Sequence, residues 1–247
     1  MVCTIPLLSA SLVTSFSTPP SEGAAEEAFR VIENEIFELY CRIGLDEAGL
    51  SAEAFTHALI GYYNLKADGK LNDESLLTII DFTQSCNSKR FYTVNLQTWE
   101  LVFHEWVAHG ENTGKEYAEQ FSNRNNSHQS SLGFFVTGEI YYGKRGYSLR
   151  LDGMELGIND KVRMRGVVIH AADYVDESLI EKGELIGTSW GCPALREEIN
   201  REVIETLKEG TCVFAWYNDN TYLRNSRWLD ALKAVELLAA DRLARSD

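Results

Sequence analysis

The chain has 247 residues, 45% apolar and 24% charged, with 11 Tyr, 11 Phe and 5 Trp. That length and aromatic content support a buried core and exclude a disordered chain, while 18 Gly and 4 Pro exclude a collagen-like or linker-dominated one. Acidic residues outnumber basic ones by 37 to 23, a formal charge of −14 with no basic run to offset it, so no nucleic acid is expected as a partner. No apolar stretch approaches the roughly 20 residues of a membrane helix, and the chain is not expected to span a membrane.

Residues 1–21 carry no charged side chain, and Ile5–Val13 is a short, mostly apolar run followed by Ser, Thr and Pro. This has the texture of the back half of a secretory signal, without the usual Lys or Arg before the apolar run. Two accounts stand: residues 1–23 are an export signal and linker, or they are the N-terminus of a cytosolic protein. From Ala24 to Ile43 apolar residues recur at helical spacing (Phe29, Ile32, Ile36, Phe37, Tyr40), and Ser51 caps a second predicted helix through Phe55, Leu59 and Tyr62 that stops near Asp68-Gly69. Residues 24–72 are therefore read as a helical preface.

After Asn72 the runs become short and β-branched or aromatic. Leu76–Phe82, Phe91–Leu96 and Leu101–Ala108 read as strands, the last two as a hairpin turning at Gln97–Glu100. Gly133–Thr137, Tyr147–Leu151, Arg165–His170 and Cys212–Tyr217 are further strand candidates, and the polar, Asn- and Ser-rich stretch Glu111–Ser131 is expected to be a long loop. Glu197–Lys208 and Arg227–Leu243 read as amphipathic helices, the second a C-terminal helical extension over residues 218–247. The expected fold is mostly β, sandwich- or barrel-like, with an N-terminal helical preface and a C-terminal helix.

Five cysteines (Cys3, Cys41, Cys86, Cys192, Cys212), an odd number with no CxxC spacing, argue against a disulfide scaffold and a zinc ribbon. No HExxH spacing occurs, and His104 and His109 alone do not make a metal site, so no metal or other cofactor is expected. Cys212 lies in an apolar strand and reads as core. Cys192 is different. It follows Gly191 in Ser-Trp-Gly-Cys-Pro, and the apolar strand Val167-Val168-Ile169 ends at His170. A thiol with a pKa near about 8.5 is only a few per cent ionised at pH 7, and a neighbouring imidazole can take its proton. The amides of Gly191 and Cys192 could then face an oxyanion, a donor type whose loss costs about 10²–10³ in rate.

At these residues the chain resembles the L,D-transpeptidase (YkuD-like) family, in its murein L,D-transpeptidase catalytic domain branch. The carrying segments are AHGENTGKEYAEQFSN at 108–123, SSLGFFVTGEIYYGKRGYSLRLDGMELGIND at 130–160, VVIHAADYV at 167–175 and GTSWGCPAL at 187–195. The resemblance covers about residues 75–217 and implies a catalytic domain over 73–217. It implies that Cys192 is the nucleophile, His170 the general base, the Ala171 main-chain carbonyl the group orienting that histidine, the Gly191 and Cys192 amides the oxyanion donors and Ser189 a support of the turn. It implies that Tyr141, Tyr142, Lys144 and Trp190 border the substrate groove. The partners it implies are peptidoglycan stem peptides, donor and acceptor, joined through a thioester into L,D (3-3 type) cross-links by an exported protein of the periplasm or cell envelope.

Three departures stand against the family pattern. Ala171 follows the histidine where many relatives have Gly, Arg145 stands where relatives tend to have His, and Pro193-Ala194 replace the apolar residue and Arg that follow the cysteine in more distant members. Were the position after the histidine at positive φ, Ala would cost about 1 kcal/mol. Three rival readings remain at this point: an L,D-carboxypeptidase or hydrolase on the same Cys/His pair, a catalytically silent wall-binding protein, and a cytosolic thiol hydrolase.

Overall fold

The computed structural model describes residues 22–245, and the side chains of 33–241 within them. The apolar run of residues 1–21, and Cys3 with it, lies outside the described residues. Two helices come first, α1 (Glu22–Ile43) and α2 (Ala52–Ala67). Ser51 caps α2, its Oγ accepting from Ala54 N at 3.1 Å. The strands follow: β1 (Leu76–Asp81), β2 (Phe91–Asn95), β3 (Glu100–Glu105), β4 (Gly133–Gly143) and β5 (Gly146–Gly153). After the single-turn helix α3 (Val162–Arg165) come β6 (Val168–Ala171), α4 (Glu177–Glu181), the two-residue β7 (Ala194–Leu195), α5 (Glu197–Leu207), β8 (Cys212–Trp216), α6 (Asn220–Asn225) and α7 (Ala231–Arg245).

All eight strands form one sheet in the order β3-β2-β1-β8-β4-β5-β6-β7. The pairing is antiparallel except at β1–β8 and β6–β7. The two ends of that order approach each other. Just past β3, Ala108 N donates to Ala194 O of β7 at 2.9 Å, and Arg196 pairs with Glu105 at 2.8 Å. The sheet is thus nearly closed, and the fold is mostly β and barrel-like, with helices at both ends of the chain.

The alternation of strand residues explains the core. Leu149, Leu151 and Ile169 are buried together with Phe134, Phe214 and α5 residues Val203, Ile204 and Leu207. Helix α2 is buried along most of its length and lies against β1 and β8, with α1 and α7 outside it. Asn64 of α2 fastens the C-terminal segment, its Nδ2 donating to Trp228 O at 2.8 Å and Asp230 O at 2.9 Å.

Two sequence expectations are corrected. Arg165 belongs to the end of α3, not to a strand, because Gly166 at φ 69° closes that helix in the left-handed region and β6 begins only at Val168. The helix expected from Arg227 begins at Ala231. Trp228 is buried, with its indole N–H on Met154 O at 3.0 Å, and the separate α6 precedes it, capped by Asp219.

Gly61 of α2 sits directly over the Phe134 ring, where a Cβ would overlap it. Ala would gain about 1 kcal/mol of helix propensity, but overpacking a filled core costs about 1–3 kcal/mol. Gly61→Ala should therefore lower stability by about 1 kcal/mol, read from the urea midpoint; an unchanged or raised midpoint would show that the ring gives way freely.

Candidate active site

Strand register assembles the site. Tyr141 pairs with Ser148, Ser148 with His170, and His170 with Ala194, so four neighbouring strands place these side chains on one face. Continuing the β6–β7 register back by two residues sets Cys192 beside Val168, and Val168 N–H does lie 3.5 Å from Cys192 Sγ. Val168 and His170, two apart on β6, share a face, so the thiol at the Val168 amide lies within two residues of the histidine along β6.

His170 is only 2% exposed, and its Nδ1 is 2.7 Å from Ala171 O. A carbonyl can only accept, so Nδ1 carries the proton and the neutral ring keeps its lone pair on Nε2. Burial, with a smaller contribution from the charge of Arg145 and against the Ala171 hydrogen bond, lowers the pKa of His170, so the neutral ring is favoured at pH 7. Ala171 is not among the residues at positive φ, so it carries no left-handed strain there.

The thiol is held from below by main chain. Besides the Val168 amide, its S–H lies 3.8 Å from Gly166 O; neither hydrogen bond involves the imidazole. Burial raises its pKa, opposed by the Val168 N–H and by the charges of Arg165 and Arg145. Cys212 is raised by burial with no opposing group, and Cys86 is raised by burial between Arg90 and Glu116. Cys192 alone among these three receives a backbone N–H together with two guanidinium charges.

The turn bearing Cys192 is clamped by Ser189, whose hydroxyl donates to Cys192 O at 2.7 Å and accepts from Gly191 N at 3.0 Å. The Gly191 amide is therefore occupied by Ser189 rather than turned to an oxyanion, whereas the Cys192 amide makes no hydrogen bond among the described residues. Gly191 is at φ 111°, and a Cβ there would lie 2.6 Å from Gln129 O, so the position requires glycine. Main-chain bonds splice the turn to the segment after β3: Ser189 N donates to His109 O and Glu111 N to Ser189 O, both at 2.8 Å.

That segment is supported by a fully buried guanidinium. Arg90 donates to Val107 O through Nε at 3.1 Å and Nη2 at 3.0 Å, to Gln84 O at 2.9 Å, and to His109 Nδ1 at 2.7 Å. Since the Nδ1 of His109 accepts, its Nε2 donates to Gly114 O at 3.1 Å. His109 is thus a neutral structural histidine, its pKa pulled down by burial and Arg90 to about 4.

The proposed groove residues separate. Tyr141 lies on the His170 face, with the Arg150 guanidinium 4.4 Å above its ring. Tyr142, 74% exposed, projects from the opposite face and meets Tyr147 edge-on at 5.3 Å. Lys144 and Arg145 form the exposed β4–β5 turn. Trp190, 67% exposed beside the thiol, stacks on His128 at 4.8 Å with the rings 6° from parallel, and His128 Nδ1 is 2.6 Å from Glu111 Oε1. Sequence reasoning missed this stack, because residues 62 positions apart give no local signal. It also missed Arg165 and Tyr174, a residue on the loop after β6 whose buried hydroxyl has no hydrogen-bond partner among the described residues and whose pKa is pushed up to about 12. Among the described residues no three His, Cys, Asp or Glu side chains converge as a metal site would require.

The structure thus brings a buried, neutral imidazole and a thiol to neighbouring positions along β6 of a nearly closed sheet. The family model described as L,D-transpeptidase catalytic domain matches residues 46–216, well over half of the chain. The chain belongs to the L,D-transpeptidase catalytic domain family. No curated protein matches it. Among solved structures it is similar to an L,D-transpeptidase from Mycobacterium smegmatis, at 12% identity over 58% of this chain and 59% of that one, with a TM-score of 0.35. An L,D-transpeptidase from Stackebrandtia nassauensis matches at 13% identity over 66% of each chain, TM-score 0.37. The helical cell shape determining protein Pgp2 of Campylobacter jejuni matches at 15% over 75% of this chain and 64% of that one, TM-score 0.38. The chain thus spans about six-tenths of the first of these.

Proton linkage at His109 gives a test of the support. Between pH 6.5 and about 4 the unfolded imidazole is protonated while the folded one is not, so its contribution is complete above pH 6.5 and is lost as pH falls to about 4. His109→Gln, which binds no proton, should remove a share of up to about 1.4 kcal/mol per pH unit from the stability slope in that window, measured by urea unfolding. An identical slope in the variant would rule out a neutral buried His109.

Proposed function

We propose that the enzyme performs cysteine-dependent acyl transfer on peptidoglycan stem peptides, with Cys192 as nucleophile and His170 as general base. The observation that supports this reading is the His170 Nδ1–Ala171 carbonyl bond, which leaves the Nε2 lone pair available for proton transfer in a site where the thiol lies at the Val168 amide of the same strand. His170 Nε2 takes the thiol proton, and the sulfur attacks the carbonyl carbon between an L-centre and a D-centre of the donor stem. The oxyanion of the tetrahedral adduct faces the free Cys192 amide. Collapse breaks the C–N bond, the leaving amine of the terminal D-residue takes the proton from His170, and a thioester remains on Cys192. The acceptor stem's amine then attacks the thioester and gives its proton to His170. The C–N bond of an L,D (3-3 type) cross-link forms, and the thiolate leaves and is reprotonated.

Trp190 and Tyr141 border the thiol on this reading, and Lys144 lies at the turn above it, with Tyr142 flanking from the outer face. The bond energy is conserved in the thioester without a nucleotide, which suits an exported enzyme of the periplasm or cell envelope, where the stem peptides are.

Incubation with tetrapeptide-bearing muropeptides, followed by mass spectrometry, should show cross-linked dimers and a released D-amino acid, and Cys192→Ala should abolish both. A carbapenem should add one drug mass on Cys192. Trimmed tripeptides without dimers would replace transfer by hydrolysis as the reaction; absence of both products, with no carbapenem adduct, would overturn the reading.

A further inference from the structure

The sulfur of Cys192 rests on the segment 165–168, and the residue that opens this segment is a cation. Arg165 Nη1 donates to Ser122 O and Ser131 Oγ, both at 2.6 Å, and Nη2 donates to Gln129 O at 2.6 Å and Ser127 Oγ at 3.2 Å. All four acceptors are neutral oxygens. Arg165 makes no ion pair among the described residues, although the chain carries 37 carboxylates. Its guanidinium lies directly under the nucleophile turn: Nη2 is 3.4 Å from where a Cβ on Gly191 would be. Taking a guanidinium partly out of water is costly, and neutral acceptors satisfy its N–H groups without balancing its charge. A group that becomes anionic nearby would balance it, and Cys192 is a thiol on which the Arg165 charge acts.

We propose that Arg165 is a positioning residue that serves as the fixed counter-charge of the Cys192 thiolate. The inference rests on the reading of Cys192 as the nucleophile. Burial alone holds the thiol in its protonated form, and proton transfer to His170 turns a neutral pair into an ion pair in a desolvated site. Arg165 is held in place by the loop and does not move when charge appears, so its field acts with little reorganisation. The other groups bearing on the sulfur are the Val168 N–H and Arg145, which favour the thiolate, and the Tyr174 hydroxyl on the loop after β6, which does not when ionised. His170 approaches from β6 as the proton acceptor. Arg145 is on an exposed turn, so Arg165 is the cation whose position the fold fixes.

The test is the pH dependence of iodoacetamide alkylation at Cys192, followed on the Cys192 peptide by mass spectrometry so that Cys41, Cys86 and Cys212 do not contribute. Arg165→Met should raise the midpoint by about one pH unit, a roughly tenfold slower reaction at neutral pH. Arg165→Lys keeps the charge and should stay near wild type, as should Ser131→Ala, which removes one anchor of the guanidinium and none of its charge. If Arg165→Met does not fold, Arg165→Gln is measured in its place. An unshifted midpoint in a folded neutral variant, or equal shifts in Arg165→Lys and Ser131→Ala, would overturn the proposal and leave Arg165 as a loop pin. Alkylation needs no turnover, so failure here is distinct from failure of the acyl-transfer reading, which the muropeptide assay decides.

Discussion

The parallel pairing of β6 with the two-residue strand β7 is the constraint on which the site depends. It fixes His170 opposite Ala194 and, by continuation, Cys192 beside Val168. Two residues are too few to make a strand by their own propensity. β7 persists because it is bonded on both sides, to β6 and, through Ala194 O, to Ala108 N. The near-closure of the sheet and the placement of the turn bearing Cys192 are therefore the same event. A slip of one residue at β7 would carry Cys192 to the other face, and the Arg196–Glu105 pair at the far end of β7 opposes it.

Two guanidiniums flank this closure without a bonded carboxylate. Arg90 fills its donors with Val107 O, Gln84 O and His109, and Arg165 fills its own with the loop 122–131. A charge taken out of water and held only by neutral acceptors is destabilised if an acceptor moves away, most of all for the fully buried Arg90, so each guanidinium resists displacement of the loop around it. The polar stretch between β3 and β4, though without regular structure, is thereby hydrogen-bonded to both guanidiniums. Arg90 positions the chain to which Ser189 is spliced, and Arg165 positions the chain under Gly191.

The strands with regular alternation or continuous apolar runs were legible in the sequence almost to the residue: Leu76–Asp81, Phe91–Asn95 and Cys212–Trp216 differ from expectation by one residue at most. Their side chains decide their structure locally. What was not legible depends on partners distant in sequence. β7 is too short to show a period; β4 runs on to Gly143 because β5 pairs with it across a bulge; and the Trp190–His128 stack joins two loops. Cys192 and His170 could be named from motif and resemblance, but the identity of the free amide could not. Whether Gly191 N–H faces an oxyanion or a hydroxyl depends on the rotamer of Ser189, and no pattern of residue types encodes that.

The charge balance looks at first unfavourable for a substrate bearing carboxylates, since the formal charge of −14 would repel it. At physiological ionic strength the Debye length is about 8 Å, so carboxylates on the remote faces of the molecule are largely screened from the groove. The charges that count are those within that distance. The groups that perturb Cys192, His170 and Tyr174 include Arg145 in each case and Arg165 for the thiol, and the only acidic one among them is Asp173, acting on Tyr174. Lys144 adds a further cation on the same turn as Arg145. Arg150 and Arg163, by contrast, pair with Glu139, and Arg196 with Glu105. Around Cys192 an acidic protein thus carries guanidiniums without a bonded carboxylate, and there the local field runs against the sign of the whole.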